Sequence, residues 1–164
     1  EASVRDGNLT IGFRRQMQGI HPTAPIRFDL RLRHLDALTI SGSGSARSES
    51  IRTKRLKLVI SGSGSVNLDR LFAAWLGTTI SGPGSFQVAG EAPEHLVKIS
   101  GSGGLNAQNL RTRLAEVTVS GSGTAVLDVA EKLSAEISGS GDVAFSGDAH
   151  VSQITSGSGR VRAL

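Results

Sequence analysis

The chain is distinctive for the residue types that it lacks. Its 164 residues include no cysteine, no tyrosine, one tryptophan, one methionine and four prolines. Without cysteine there is no disulfide framework and no thiolate to serve as a nucleophile or metal ligand. No stretch approaches the roughly 18 consecutive apolar residues of a membrane-spanning helix, and no signal-peptide pattern follows Glu1. The sequence therefore predicts a protein without thiol chemistry and with no membrane span in this chain.

Glycine and serine are abundant instead, and they recur in a periodic motif. The tetrapeptide Ser-Gly-Ser-Gly, or a variant with one residue changed, begins at Ser41, Ser61, Ser81, Ser100, Ser120, Ser138 and Ser156. Successive motifs lie 20, 20, 19, 20, 18 and 18 residues apart. Such a regular period indicates structural repeats that each stack on the next.

Aligned on these serines, the apolar residues fall into columns. The residue before each motif is Ile40, Ile60, Ile80, Ile99, Val119, Ile137 or Thr155. The residue five positions after its first serine is Ala46, Val66, Phe86, Leu105, Ala125, Val143 or Val161. Another column, two residues before the first, holds the aliphatic residues Leu38, Leu58, Val97, Val117 and Ala135, with Thr78 as an exception. Alternation of this kind indicates strands with one buried face. A β-propeller blade needs about 40 residues, twice this period.

The repeats predict an all-β fold, a single-stranded parallel β-helix of about seven coils with 18–20 residues per coil. Each coil is expected to contain a strand, a glycine corner, a second strand, a turn and a less regular third side. Glycine at the corner permits positive φ and close backbone approach, and the serine hydroxyls are expected to bond to each other or to corner amides. Residues 38–164 are predicted to be one continuous β-helix domain. Residues 1–37 are predicted to be a strand-rich cap or additional coils, with a strand at residues 26–33.

One bacterial family resembles the chain in its serial motif Ile-Ser-Gly-Ser-Gly, at residues 40–44, 60–64 and 137–141, and in the lead-in pattern at residues 25–30 and 38–40. It is the family of auto-transporter adhesin head GIN domains, and the resemblance covers about residues 26–164. It implies a right-handed β-helix exported to the bacterial envelope: periplasmic, associated with the outer membrane, or extracellular. The family name implies adhesion, and the resemblance brings no catalytic or binding residues to match. The chain departs from the motif at Pro83, Gly104 and Thr155.

Charge is distributed unevenly along the chain. Residues 1–60 contain 11 Lys and Arg against 5 Asp and Glu, and the remainder contains 7 against 9. A basic half can contact lipopolysaccharide phosphates or acidic glycans, although arginines at alternate positions of one strand are also typical of a solvated face. No nucleic-acid partner is expected, because tyrosine is absent and the five phenylalanines are predicted to lie mostly in core columns rather than in a stacking platform.

The pattern of acidic and histidine residues predicts no metal site, no cofactor and no enzyme. Asp142 is the only carboxylate at the position where a calcium-binding β-roll repeats one in every coil. Asp69, Asp128 and Asp148 are spread over three different coils, whereas glycoside hydrolysis needs a pair of acids at one pocket; turn aspartates commonly bond their own backbone. The histidines His21, His34, His95 and His150 share neither a column nor helical spacing.

Six residues are candidate surface contacts for a glycan or protein partner: Arg27, Arg31, Arg33, Trp75, Arg160 and Arg162. Trp75 lies in the apolar run of residues 71–76, either as an exposed anchor or as part of a cap over the core. Arg160 and Arg162 flank Val161 in the last coil, whose strand edge could pair with a second copy of the chain. The sequence predicts a non-enzymatic envelope or secreted β-helix protein for adhesion, surface binding or assembly. The alternative is a carbohydrate-active enzyme or a glycan-binding module on the same fold.

Overall fold

A computed structural model describes residues 2–12 and 26–164 of the chain. The chain divides into two units, residues 1–32 and residues 33–164. Residues 1 and 13–25, which belong to the predicted cap, lie outside the described residues. The predicted division at residue 37 between a cap or additional coils and the repeat domain stays a prediction.

The first unit contains a β-hairpin with a two-residue turn. Strand β1 (Ala2–Arg5) pairs antiparallel with strand β2 (Asn8–Ile11). Asp6 and Gly7 connect them with φ values of 49° and 76°, the left-handed conformation that a type I′ turn requires. Asp-Gly is a favoured sequence for this turn, so the hairpin follows from local sequence.

Residues 26–33 do not form the strand that their alternating sequence predicts. The apolar side chains Ile26, Phe28, Leu30 and Leu32 are each 52–55% exposed, so the alternation produces no buried face. A strand also needs a hydrogen-bonded neighbour, and no strand pairing among the described residues includes residues 26–36. The prediction was wrong because alternation specifies a strand only where another element covers its apolar side.

The second unit is a parallel β-solenoid. Its strands are β3 (Ala37–Ser41), β4 (Ser45–Ser48), β5 (Ile51–Ser61), β6 (Ser65–Ser81), β7 (Ser85–Glu91), β8 (Glu94–Gly101), β9 (Gly104–Gly121), β10 (Thr124–Gly139), β11 (Asp142–Ser146), β12 (His150–Gly157) and β13 (Arg160–Ala163). Strands of successive coils pair in parallel throughout residues 37–163. The predicted all-β parallel β-helix of about seven coils is confirmed.

The strand register reproduces the predicted columns. Ile40 pairs with Ile60, which pairs with Ile80, and the same ladder continues through Ile99 and Val119. The second column runs in register from Ala46 through Val66 to the last coil. In the middle coils these side chains are at most 2% exposed. Their burial against each other is the main stabilising contribution, about 25 cal/mol per Å² of apolar surface.

Phenylalanine is less confined to the core than predicted. Phe86 is buried and Phe145 is partly buried, but Phe28 and Phe72 are 52% and 37% exposed. Phe13 lies outside the described residues. Phe72 is exposed because it follows the buried Leu71 in β6 and therefore points to the opposite, solvent-facing side of the strand.

The glycine corners stack backbone on backbone. Gly62 has φ of 122°, and a Cβ atom on it would lie 2.7 Å from the carbonyl oxygen of Gly42 in the preceding coil. Both facts exclude a larger residue there. The expected ladder of serine hydroxyl bonds is not formed: within the described part of the chain, no corner serine Oγ has a hydrogen-bond partner.

Thr78, the polar exception in an aliphatic column, is explained by a buried histidine. Its Oγ1 lies 3.1 Å from Nε2 of His95, with which it shares a hydrogen bond. Thr78 is 1% exposed and His95 is 2% exposed. Burial lowers the pKa of His95 from 6.5 to about 3, because the core cannot solvate an imidazolium. Both side chains are therefore neutral parts of the core at physiological pH.

Candidate functional site: a basic–aromatic groove

The six predicted contact residues are divided between the two units, and within the second unit Trp75 lies in a different coil from Arg160 and Arg162. Arg27 and Arg31 belong to the first unit, where Arg27 donates a hydrogen bond to Asp29 at 3.0 Å between exposed side chains. Arg33 is exposed at the start of the second unit. Arg160 and Arg162 are exposed on β13 in the last coil, and Trp75 lies on β6 in an early coil.

Trp75 lies on the outer surface of the solenoid and is half-buried there. On either side of it, Ala74 is exposed and Leu76 is fully buried in the core, so the alternation of the strand is interrupted at Trp75. The six-membered part of the indole occupies the space above Gly77, where a Cβ atom would collide with the ring. Gly77 is therefore needed for the ring to lie along the strand, an arrangement in which an aromatic side chain covers a glycine of a sheet.

Two arginines of β5 lie over aromatic rings of β6. The guanidinium carbon of Arg55 is 4.6 Å from the centroid of the Trp75 ring, and that of Arg52 is 4.7 Å from the centroid of the Phe72 ring. Each arginine is in register with the ring that it covers. These distances are within the range of cation–π interactions, which favour arginine over the face of tryptophan.

An open groove adjoins the Arg55–Trp75 pair. Asp36, Lys54, Arg55, Lys57 and Trp75 line it, and its volume is about 440 Å³. We call these five residues, with Arg52 and Phe72 beside them, the basic–aromatic groove. Its lining includes three cations and one carboxylate, so the groove carries net positive charge. The backbone of Asp36 also accepts a hydrogen bond from the Lys57 N–H at 2.9 Å, which joins the first coil to the second at this place.

Two arginines elsewhere on the solenoid, Arg47 and Arg113, are paired with carboxylates. Arg113 donates to both carboxylate oxygens of Glu131, at 2.7 and 3.0 Å, and this hydrogen bonding holds the pKa of Glu131 below its ordinary value. Arg47 donates to Asp69 at 2.9 Å. Hydrogen bonds to these carboxylates raise the pKa values of both arginines. Arg52 and Arg55, in contrast, have no carboxylate partner among the described residues.

The sequence contains a signal for this groove outside the buried columns. Residues one period of 20 apart stack, so the basic run Arg52, Lys54, Arg55 and Lys57 faces residues 72–77 of the next coil. At the outward positions of the repeat, the same period pairs Arg52 with Phe72 and Arg55 with Trp75. The period does not specify which of the four basic side chains lie over the rings, because that depends on side-chain packing.

The described residues show no group of side chains suited to a metal ion, and two of the three turn aspartates bond other side chains. No group of three or more His, Asp or Glu side chains that could hold a metal occurs in residues 2–12 and 26–164. Asp69 is engaged by Arg47, and Asp128 accepts a hydrogen bond from Ser146 at 3.2 Å. Both aspartates thus bond side chains of neighbouring coils, whereas their turn positions predicted bonds to their own backbone. His21 lies outside the described residues.

No helix long and apolar enough to cross a bilayer occurs in the part of the chain that the structure describes. The predicted pairing of two copies through Arg160, Val161 and Arg162 stays a prediction. Those residues lie on β13, which pairs with β11 on one side. The roles of Arg27, Arg31 and Arg33 as contacts also stay predictions.

Three solved bacterial structures share this fold. A protein from Bacteroides fragilis named a "putative adhesin" has a TM-score of 0.82 and 20% identity, covering all of this chain and 76% of the other. A "putative adhesin" from Parabacteroides merdae has a TM-score of 0.61 and 23% identity, covering 77% of this chain and 57% of the other. A "putative lipid binding protein" from Parabacteroides distasonis has a TM-score of 0.77 and 25% identity, covering 78% of this chain and 52% of the other.

The chain therefore spans about half the length of the P. distasonis protein. No curated protein matches it significantly. A family model described as "Putative auto-transporter adhesin, head GIN domain" matches residues 1–149. The match starts before the residues on which the resemblance rested and ends before the last coil. The chain belongs to the auto-transporter adhesin head GIN domain family.

Proposed function

We propose that this chain is the rigid binding module of a non-enzymatic bacterial surface or secreted protein, which attaches to a surface glycan or a protein partner. The family description and the names of two relatives include the word adhesin. An adhesin must be exported to reach its target, so the same descriptions support an exported location. The basic–aromatic groove carries the proposal, because it places unpaired cations and aromatic side chains together on one face of the solenoid.

The groove supports binding in preference to glycan cleavage. Asp36 is the one carboxylate among its lining residues, whereas glycoside hydrolysis uses two carboxyl groups on either side of the scissile bond. The lining cations provide electrostatic attraction and hydrogen-bond donors. Such groups hold an anionic ligand without an acid–base pair.

A second candidate is the binding of an anionic lipid headgroup. The P. distasonis relative carries a lipid-binding name. Tryptophan beside lysine and arginine is a combination that also occurs where proteins meet membrane interfaces. The two candidates share the chemistry of the groove and differ in the surface that presents the anion.

A surface-retention experiment tests the proposed function. Beads coated with the chain are passed over immobilised lipopolysaccharide, mucin, an acidic polysaccharide, dextran and anionic vesicles, with albumin-coated beads as the control. At low salt we expect the beads to be retained on at least one of the lipopolysaccharide, mucin and acidic-polysaccharide surfaces. Retention should be weaker near 0.5 M salt, because salt screens electrostatic attraction between exposed charges. Retention no greater than that of albumin on every surface would contradict the proposal. Release of reducing sugar ends during contact would favour the enzymatic alternative.

A further inference from the structure

We propose that Arg52 and Arg55 form a binding site for the oxyanions of an acidic glycan, a polysaccharide whose sugars carry carboxylate or phosphate groups. The inference rests on the proposed function, for which it names the site and the class of ligand. Lys54 and Lys57 contribute further positive charge to the same groove. Three observations support the proposal. Neither guanidinium group binds a carboxylate of the described residues, the two groups are held over different rings, and both rings are only partly exposed.

The arginines of the solenoid differ in what they contact. Arg47 and Arg113 use their N–H groups to bind Asp69 and Glu131. Arg52 and Arg55 lie over Phe72 and Trp75, and no carboxylate accepts a hydrogen bond from them in residues 2–12 and 26–164. The first pair is neutralised by the protein itself. The second pair keeps its charge available for a ligand.

Stacking over a ring prepares a guanidinium for oxyanion binding. The ring engages the flat face of the group, while the N–H donors lie in the plane of the group and point outward. A planar fork of this kind binds a carboxylate or phosphate through two parallel hydrogen bonds. Because the ring already restricts the long side chain, less conformational entropy is lost when a ligand binds.

The spacing of the two arginines favours a ligand with more than one anion. Arg52 and Arg55 are three residues apart on β5, so their Cα atoms are separated by up to about 10 Å in an extended strand. Each guanidinium is also held over a different ring of β6. A polysaccharide with a charged group on successive sugars can place one oxyanion at each guanidinium while both stay over their rings.

The depth of the aromatic rings favours a polysaccharide over a membrane. Aromatic side chains that enter a lipid interface present their apolar surface beyond the charged groups. Phe72 is 37% exposed, Trp75 is half-buried, and an arginine covers each ring. A glycan chain can lie in the groove against the guanidinium edges without displacing them.

The test uses Trp75, the only tryptophan of the chain, as a reporter. The full chain is titrated with polygalacturonate, with phosphorylated mannan, with neutral dextran, with inorganic phosphate and with vesicles of phosphatidylglycerol or phosphatidylcholine. Tryptophan fluorescence reports occupation of the groove, and calorimetry gives the affinity. We expect a fluorescence change with at least one of the two acidic polysaccharides, and none with dextran.

Matched double variants distinguish specific binding at the groove from nonspecific electrostatic attraction to a basic protein. Arg52→Gln/Arg55→Gln removes two charges from exposed residues on β5, and Arg111→Gln/Lys132→Gln removes two charges from exposed residues on β9 and β10. We expect the first to weaken polysaccharide binding at least about tenfold, because two charge-assisted bidentate contacts are lost. The second should stay within about twofold, as distant surface charges contribute little. Arg55→Lys keeps the charge but loses the planar fork, and should weaken binding by about threefold or more.

Several outcomes would overturn the inference: binding to neither acidic polysaccharide, equal losses in the two double variants, or a response to phosphatidylglycerol vesicles alone. Circular dichroism and thermal melts of each variant exclude misfolding as the cause. If the surface-retention experiment succeeds and Arg52→Gln/Arg55→Gln is retained as well as the wild type, the inference fails and the proposed function stands. If the wild type is retained nowhere but binds polysaccharide through these arginines, the proposed function fails and the inference stands.

Discussion

The glycine corner and the third side of the solenoid differ in how constant the strand register is from coil to coil. At the corner, strand pairs such as Ile60 with Ile80 and Ser61 with Ser81 stay in register through the coils. On the third side the register shifts, between Leu68 and Leu71 and between Leu127 and Asp128, for example. Backbones that touch across the corner permit no variation, whereas the third side accommodates coils of different length. We expect stability to depend most on the corner, and the groove lies outside it, between β5 and β6.

The largest expected effect is a valine at a corner glycine. Gly121 has φ of 116°, and a Cβ atom there would lie 2.7 Å from the carbonyl oxygen of Gly101. Gly121→Val should lower the free energy of unfolding by about 3–5 kcal/mol, from backbone strain and from the collision. Urea unfolding followed by circular dichroism measures the change. Ser65→Ala, at an exposed position, is the control and should stay within about 0.5 kcal/mol; equal shifts for both would refute the stacked corner.

The next largest effect is the loss of folding stability at low pH that the buried His95 causes. Its pKa is about 3 in the folded protein and 6.5 unperturbed, so below pH 6.5 the unfolded chain binds a proton that the folded chain does not. Stability is therefore complete above about pH 6.5 and decreases as pH falls toward 3. Between pH 7 and pH 4 the loss from this group should be about 3 kcal/mol. Urea unfolding at a series of pH values measures it.

A double variant isolates the contribution of that histidine. His95→Leu/Thr78→Val removes both members of the buried hydrogen bond and restores the aliphatic character of the column. Its stability should depend less on pH between 7 and 4 than that of the wild type. His150→Ala, which changes an exposed histidine of β12, should leave the dependence unaltered. A wild-type slope that survives in the double variant would show that other groups cause it.

A smaller effect on stability is expected from loss of the contact between Arg55 and Trp75 in the groove. Arg55→Gln removes the cation over Trp75 and should cost less than about 1 kcal/mol of unfolding free energy. The emission of Trp75 should shift to longer wavelength, because the ring becomes more accessible to water. Chemical unfolding with tryptophan fluorescence gives both quantities. A loss as large as that of Gly121→Val would mean that the groove is part of the stabilising framework.

No effect at all is expected from metal removal. The described residues contain no group of side chains suited to a metal ion, so dialysis against EDTA should leave the circular dichroism and melting temperature unchanged. Millimolar calcium should change the melting temperature by less than about 2 °C. A rise of several degrees would show a binding site that compensates for the missing column of aspartates.

The sequence predicted the solenoid well because its signal is repeated seven times. The columns that contain Ile60 and Val66 are in register as expected. Residues 26–33 were mispredicted because one alternating stretch says nothing about whether a partner covers it. The arginines over Phe72 and Trp75 could be paired by period, but their stacking depends on side-chain rotamers and on Gly77. The bond between Thr78 and His95 joins residues 17 apart, off the period, so no column comparison could reveal it.

The shifting register of the third side also affects how such a chain can change in evolution. Coils of 18, 19 and 20 residues coexist because extra residues are absorbed there. Insertions and deletions of one or two residues therefore leave the corner and the buried columns intact. Duplication of a whole coil would lengthen the rod by about 4.8 Å and keep its cross-section. New binding surfaces can thus arise by small length changes on one side, without redesign of the core.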